Sequence, residues 1–139
     1  MTRPRLLLLA AALVLAHALP AAAQLYNHPE SVAYHAASQR YFVSNFGDGT
    51  IVQLDQNLEP AYLDTSLTRV AGLLCHGDML YAASNLEPWK GLVGWDLTTD
   101  QRVLFVPIPE SNLLNDLALD DTGHMFITDY WTTGVYRVN

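Results

Sequence analysis

Asn115-Asp116-Leu117-Ala118-Leu119, then Asp120-Asp121-Thr122-Gly123, then Met125-Phe126-Ile127-Thr128-Asp129 reads as strand, turn and strand. Apolar runs of four to six residues bounded by Gly and Asp turns are strand signals, and β-branched and aromatic residues fill them. The same layout occurs twice upstream. Glu30-Ser31-Val32-Ala33-Tyr34 leads through a turn to Tyr41-Phe42-Val43-Ser44-Asn45. Ala71-Gly72-Leu73-Leu74-Cys75 turns at His76-Gly77-Asp78 into Leu80-Tyr81-Ala82-Ala83-Ser84-Asn85. With Asn45, Asn85 and Asp129 as the common mark, the units lie 40 and 44 residues apart.

A third strand follows in every unit: Ile51-Val52-Gln53-Leu54, Leu92-Val93-Gly94-Trp95 and Val135-Tyr136-Arg137-Val138. The first two units add a fourth, Pro60-Ala61-Tyr62-Leu63 and Arg102-Val103-Leu104-Phe105-Val106. Pro60 and Pro107 suit outer edge strands, which need fewer ladder bonds. Four-stranded units repeating every 40 residues or so are the signature of β-propeller blades. The expectation is an all-β chain of about three blades, near residues 27–66, 70–107 and 112–139. Propellers usually have about four to eight blades, so a fragment of a longer ring is expected, with self-association through the open blade faces as the other reading.

Residues 1–23 read as an address. Arg3 and Arg5 precede an apolar run over residues 6–19, interrupted only by His17. Pro20 ends the run, and Ala21-Ala22-Ala23 supplies small residues of the cleavage type. A run of 14 residues falls short of the roughly 20 needed to span a bilayer. A cleaved export signal helix is therefore expected, with a secreted or periplasmic product and no membrane contact after cleavage; the alternative is a retained membrane anchor. The charge balance, 7 Lys+Arg against 14 Asp+Glu, argues against nucleic acid as a partner. A single cysteine, Cys75, excludes an internal disulfide framework and reads as a small buried hydrophobe.

In a propeller, the start of each innermost strand lies beside the central channel. That position holds Glu30, Ala71 and Asn115, and Asp116 adds a carboxylate. Carboxylate and amide oxygens around a wet channel suit a hard divalent cation. The plainer alternatives are a solvent-facing Glu30 after Pro29 and a strand cap made by Asn115-Asp116. The histidines show no metal spacing and mostly fall at turns, where exposure is expected. Trp89 and Trp131, both in loops, are read as packing residues or as the rim of a ligand mouth; Trp95 is read as core. No G-x-S-x-G and no phosphate-binding glycine loop is present.

Pro29-Glu30-Ser31-Val32-Ala33-Tyr34 with Tyr41-Phe42-Val43-Ser44-Asn45 resembles the opening blade of the SMP-30/gluconolactonase/LRE-like family. Asn115 to Asp120, followed by Gly123-His124-Met125-Phe126-Ile127-Thr128-Asp129, resembles a later blade of the same six-bladed propellers. The resemblance implies a divalent cation (Ca, Zn, Mg or Mn) in the channel, with Glu30 as a metal ligand and Asn115 and Asp116 lining the substrate pocket. It also implies hydrolysis of a small sugar-derived lactone. Further ligands would come from blades beyond these three, so this chain alone is expected to be inactive. The alternative is a non-catalytic propeller of the NHL type acting as a binding scaffold.

Overall fold

The computed structural model describes residues 25–139; the expected signal, residues 1–23, lies outside them. Eleven strands form three antiparallel sheets among the described residues. The first sheet holds β1 (Pro29–His35), β2 (Arg40–Asn45), β3 (Ile51–Leu54) and β4 (Pro60–Asp64), in chain order. The second repeats this with β5 (Val70–His76), β6 (Met79–Ser84), β7 (Gly91–Asp96) and β8 (Gln101–Pro107). The third has β9 (Leu114–Leu119), β10 (Met125–Asp129) and β11 (Gly134–Val138). Neighbouring strands pair because short turns join them, as hairpins require. No helix among the described residues is long and apolar enough to cross a membrane.

The sheets stack as blades, with the innermost strands side by side: β1 packs on β5, and β5 on β9. Two apolar layers fill the gaps. Phe42 and Ile51 of blade one meet Leu73, Leu80, Ala82, Val93 and Trp95 of blade two. Ala83 and Leu92 of blade two meet Leu114, Leu117, Met125 and Ile127 of blade three. Successive side chains of a strand point to opposite faces, so each blade of this kind serves two layers at once. That is why the middle strands, Leu92-Val93-Gly94-Trp95 above all, read as unbroken apolar runs.

Polar clasps tie the blade rims. Arg102 of β8 pairs with Asp64 of β4 at 2.6 Å, and Trp95 Nε1 donates to the same carboxylate at 3.2 Å. The Arg102 guanidinium also lies 4.2 Å from the Trp89 ring centre. Arg40 of β2 pairs with Asp100 at 2.9 Å and donates to the Leu97 carbonyl at 2.6 Å. Trp89 thus packs, edge-on to Phe105 and under Arg102, and Trp95 is core. Trp131 departs from the packing expectation: it is 67% exposed, in contact with Tyr130. His35 also departs from the expected exposure. It is buried, with Nδ1 2.8 Å from Ser38 Oγ and Nε2 3.5 Å from an Asp78 carboxylate oxygen.

Strand pairing corrects the repeat alignment by one residue. Pro29 pairs with Asn45, Leu114 with Asp129, but Val70 with Ser84 rather than Asn85. The structural equivalents are therefore Asn45, Ser84 and Asp129. Asn85 stands one residue later and has turned toward the next blade.

Candidate functional site

Every innermost strand carries a β-bulge at its start. Glu30 is the extra residue between Pro29 and Ser31, which pair with the adjacent Asn45 and Ser44. Ala71 and Gly72 together oppose the single Ala83. Asn115 and Asp116 together oppose Thr128. A bulge bends its strand and re-aims the side chains it carries, and bulges gather beside functional sites. The residues expected at the channel are thus the bulged residues of all three blades.

The bulges touch. Gly72 lies so close to β9 that a Cβ there would run into the Asn115 carbonyl oxygen and sit 2.9 Å from Asp116 Cα. Glycine is needed at this position for close backbone approach. Ser31 Oγ accepts the Leu73 N–H at 3.1 Å, joining the first bulge to the second. Hydroxyls on the neighbouring strand serve the backbone freed by the bulge: Ser44 Oγ accepts the Ser31 N–H, and Thr128 Oγ1 the Asp116 N–H, both at 3.0 Å.

Glu30 and Asp116 therefore stand at one end of the strand layer. Glu30 is open to solvent, yet its carboxyl is held above the ordinary glutamate range, first by partial loss of water and second by the Asp116 charge. Asn115 is half-buried beside them. Asp116 has a structural duty as well, since its Oδ1 accepts the Leu117 N–H at 2.9 Å. The strand-cap alternative is thus met in part for Asp116. The outward-facing alternative for Glu30 fits its exposure.

The oxygens are of the type a hard cation takes, but they are few. Among the described residues no group of three or more His, Cys, Asp or Glu side chains gathers that could hold a metal ion. The described residues by themselves supply too few oxygen donors to hold a cation. Cys75 offers no nucleophile either: burial pushes its thiol up to about 11, only weakly opposed by Arg40, so it stays protonated.

The residues that marked the repeat have a role the sequence did not suggest. All three are buried clamps on incoming backbone. Asp129 accepts four N–H groups, from Asn112 at 2.8 Å, Leu113 at 3.0 Å, and Trp131 and Thr132 at 3.1 Å. Burial alone would raise its carboxyl, but these donors outweigh it and hold it down at about 2. Asn85 meets one N–H and two carbonyls: it accepts from Leu114 at 2.7 Å and donates to Leu114 at 2.9 Å and Arg69 at 3.0 Å. Asn45 accepts the Asn27 N–H at 3.0 Å and donates to the Leu25 carbonyl and to Thr50 Oγ1, both at 2.7 Å. Carboxylate stands where only donors converge; amide stands where donors and acceptors are mixed. Ser84, the structural equivalent in blade two, is buried with no partner for its hydroxyl, because Asn85 has taken over the clamp.

No known protein family matches the chain, and no curated protein matches it. Solved structures do. Virginiamycin B lyase from Staphylococcus aureus superposes with a TM-score of 0.63 at 12% identity, over 80% of this chain and 38% of that one. The β-propeller domain of Cps50 (Swd1) from Myceliophteria thermophila superposes with a TM-score of 0.53 at 17% identity, over 81% of this chain and 39% of that one. The chain spans about two-fifths of the length of these structures. The likeness, with the three stacked sheets, makes this a partial β-propeller of three blades, the third with three strands.

Proposed function

We propose that the chain is part of an exported propeller of the SMP-30/gluconolactonase-like kind, which binds a small sugar-derived lactone or similar ester at its channel mouth. The observation that supports the reading is that the bulges of successive blades touch, with the Asp116 charge near enough to raise the Glu30 carboxyl. Hydrolysis would belong to a complete ring, since further oxygen donors are required before a divalent cation is held. In that ring Glu30 supplies one oxygen donor, while Asn115 and Asp116 present an amide and a carboxylate to a polyhydroxylated ligand. A raised carboxyl such as Glu30 also exchanges a proton closer to neutral pH than an ordinary one.

The test is made on a protein with the ring complete, with Mn²⁺ as a paramagnetic probe of binding and lactone opening followed by pH-stat. Mn²⁺ should broaden the Glu30 and Asn115 signals first, and Glu30→Gln should remove both that effect and the lactone opening. A complete ring that binds no Ca²⁺, Zn²⁺ or Mn²⁺ and opens no lactone would end this reading. The scaffold reading rests on two different observations, apolar Ala71 in the middle bulge and the exposed Tyr130–Trp131 pair. It predicts a ligand whose binding survives Glu30→Gln and is lost with Trp131→Ala.

A further inference from the structure

The bulges stand where the innermost strands begin. At the other end of those strands, two hairpin turns bring together side chains from blades one and two. His35 closes β1, Ser38 lies in the turn before β2, and Asp78 lies in the turn between β5 and β6. His35 is 6% exposed, whereas His76, which closes β5 in the same way, is exposed. Ser38 and Asp78 are open to solvent. The Asp78 carbonyl accepts the Leu97 N–H at 2.8 Å, which fixes that turn on blade two.

The donors and acceptors can be assigned in order. Asp78 Oδ1 lies 3.5 Å from His35 Nε2, and a carboxylate only accepts, so in the neutral ring Nε2 carries the proton. Nδ1 then accepts, and its partner at 2.8 Å is Ser38 Oγ, which must donate. Arg40 Nε donates to the same Oγ at 2.9 Å and keeps it aimed at the ring. Arg40 is itself fixed by Asp100 at 2.9 Å and by the Leu97 carbonyl at 2.6 Å. A hydroxyl donating to an imidazole whose other nitrogen faces a carboxylate is the arrangement that activates a serine. Beside the ring lies a cavity of about 370 Å³, walled by Ala36, Ala37, Cys75 and Gly77. Walls of such small residues admit a small group.

We propose that Ser38, His35 and Asp78 form an acyl-transfer site for small esters, distinct from the channel mouth and independent of the lactone reading. Ser38 Oγ bonds to the ester carbonyl carbon while its proton passes to His35 Nδ1. The carbon–oxygen bond to the alcohol breaks, and the alcohol leaves with that proton. Water then gives a proton to the same nitrogen and cleaves the acyl-serine; Ser38 regains the proton and the acid departs. The Asp78 carboxylate stabilises the imidazolium formed in between.

The full chain is treated with diisopropyl fluorophosphate, which forms a phosphorus–oxygen bond to an activated serine as fluoride leaves, and the adduct is mapped by mass spectrometry. One adduct per chain is expected, on Ser38, with hydrolysis of p-nitrophenyl acetate lost in step. Ser38→Ala should abolish both. His35→Gln should slow adduct formation at least about a hundredfold. Because His35 is buried, Asp78→Asn is the second variant: at an exposed side chain it should slow the reaction roughly tenfold or more without moving Tm. A chelator should leave the rate unchanged, which separates this site from a cation at the channel. No adduct, adducts spread over other serines, or a rate indifferent to Asp78→Asn would overturn the proposal.

Discussion

Asn85→Asp tests whether hydrogen-bond polarity chose the residue at the clamp between blades two and three. The change is isosteric, so it leaves no cavity, and the Leu114 N–H keeps its acceptor. The amide nitrogen that served Leu114 and Arg69 carbonyls at 2.9 and 3.0 Å becomes an oxygen facing two oxygens. Asn85 is 3% exposed, so water does not make up the loss. If the new carboxyl stays charged, two carbonyls lose their donor, at about 1–3 kcal/mol each. If it takes a proton instead, the penalty at pH 7 is about 1.4 kcal/mol for each unit above its free value near 3.9, or roughly 4 kcal/mol. The less costly route sets the effect, about 2–4 kcal/mol, which lowers Tm by roughly 10–20 °C in a domain of this size. Facing carbonyls raise the folded-state pKa of the introduced acid above its unfolded value. Folding of the variant is therefore least impaired below about pH 4, and the deficit grows as pH rises toward the folded pKa. Thermal unfolding of both chains at pH 4 and pH 7 reads this directly. An unchanged Tm at pH 7, or the same deficit at both pH values, would refute the polarity argument.

Gly72→Ala should force β5 away from β9, because the added methyl meets backbone rather than a flexible side chain; urea titration is expected to show a loss of about 1–3 kcal/mol, and a neutral result would mean the bulges do not touch. Asp116→Asn should lower the Glu30 pKa by removing the neighbouring charge, while partial desolvation keeps it above the ordinary value. Carbon-detected NMR titration of Glu30 checks this, and an unmoved pKa would separate the two side chains.

Blade count, strand order and the positions of the turns were legible in the sequence, because a strand buried on both faces must be apolar throughout and a tight turn needs Gly or Asp. Glu30, Ala71 and Asn115 were legible as equivalents for the same reason, being offset equally from their strands. Asn85 was not. It matches Asn45 by residue type, but pairing assigns Asn45's place to Ser84, and a one-residue slip in register leaves no trace in composition. The bulges were also hidden, since an extra residue is visible only against the strand opposite. His35 and Trp131 exchanged the surroundings expected of them for a related reason: a turn residue is buried or exposed according to which blade rim approaches it.

What the chain's own letters determined is the wedge: short apolar strands, their turns, and the recurrence that makes one blade resemble the next. What the tertiary structure decided is which faces meet. Only stacking brought Glu30 within reach of the Asp116 charge and joined Asn85 to the Leu114 backbone of the next blade. The physical reason is that strand patterns follow from local backbone geometry, whereas the polarity demanded of a buried side chain depends on backbone delivered from a distant part of the chain.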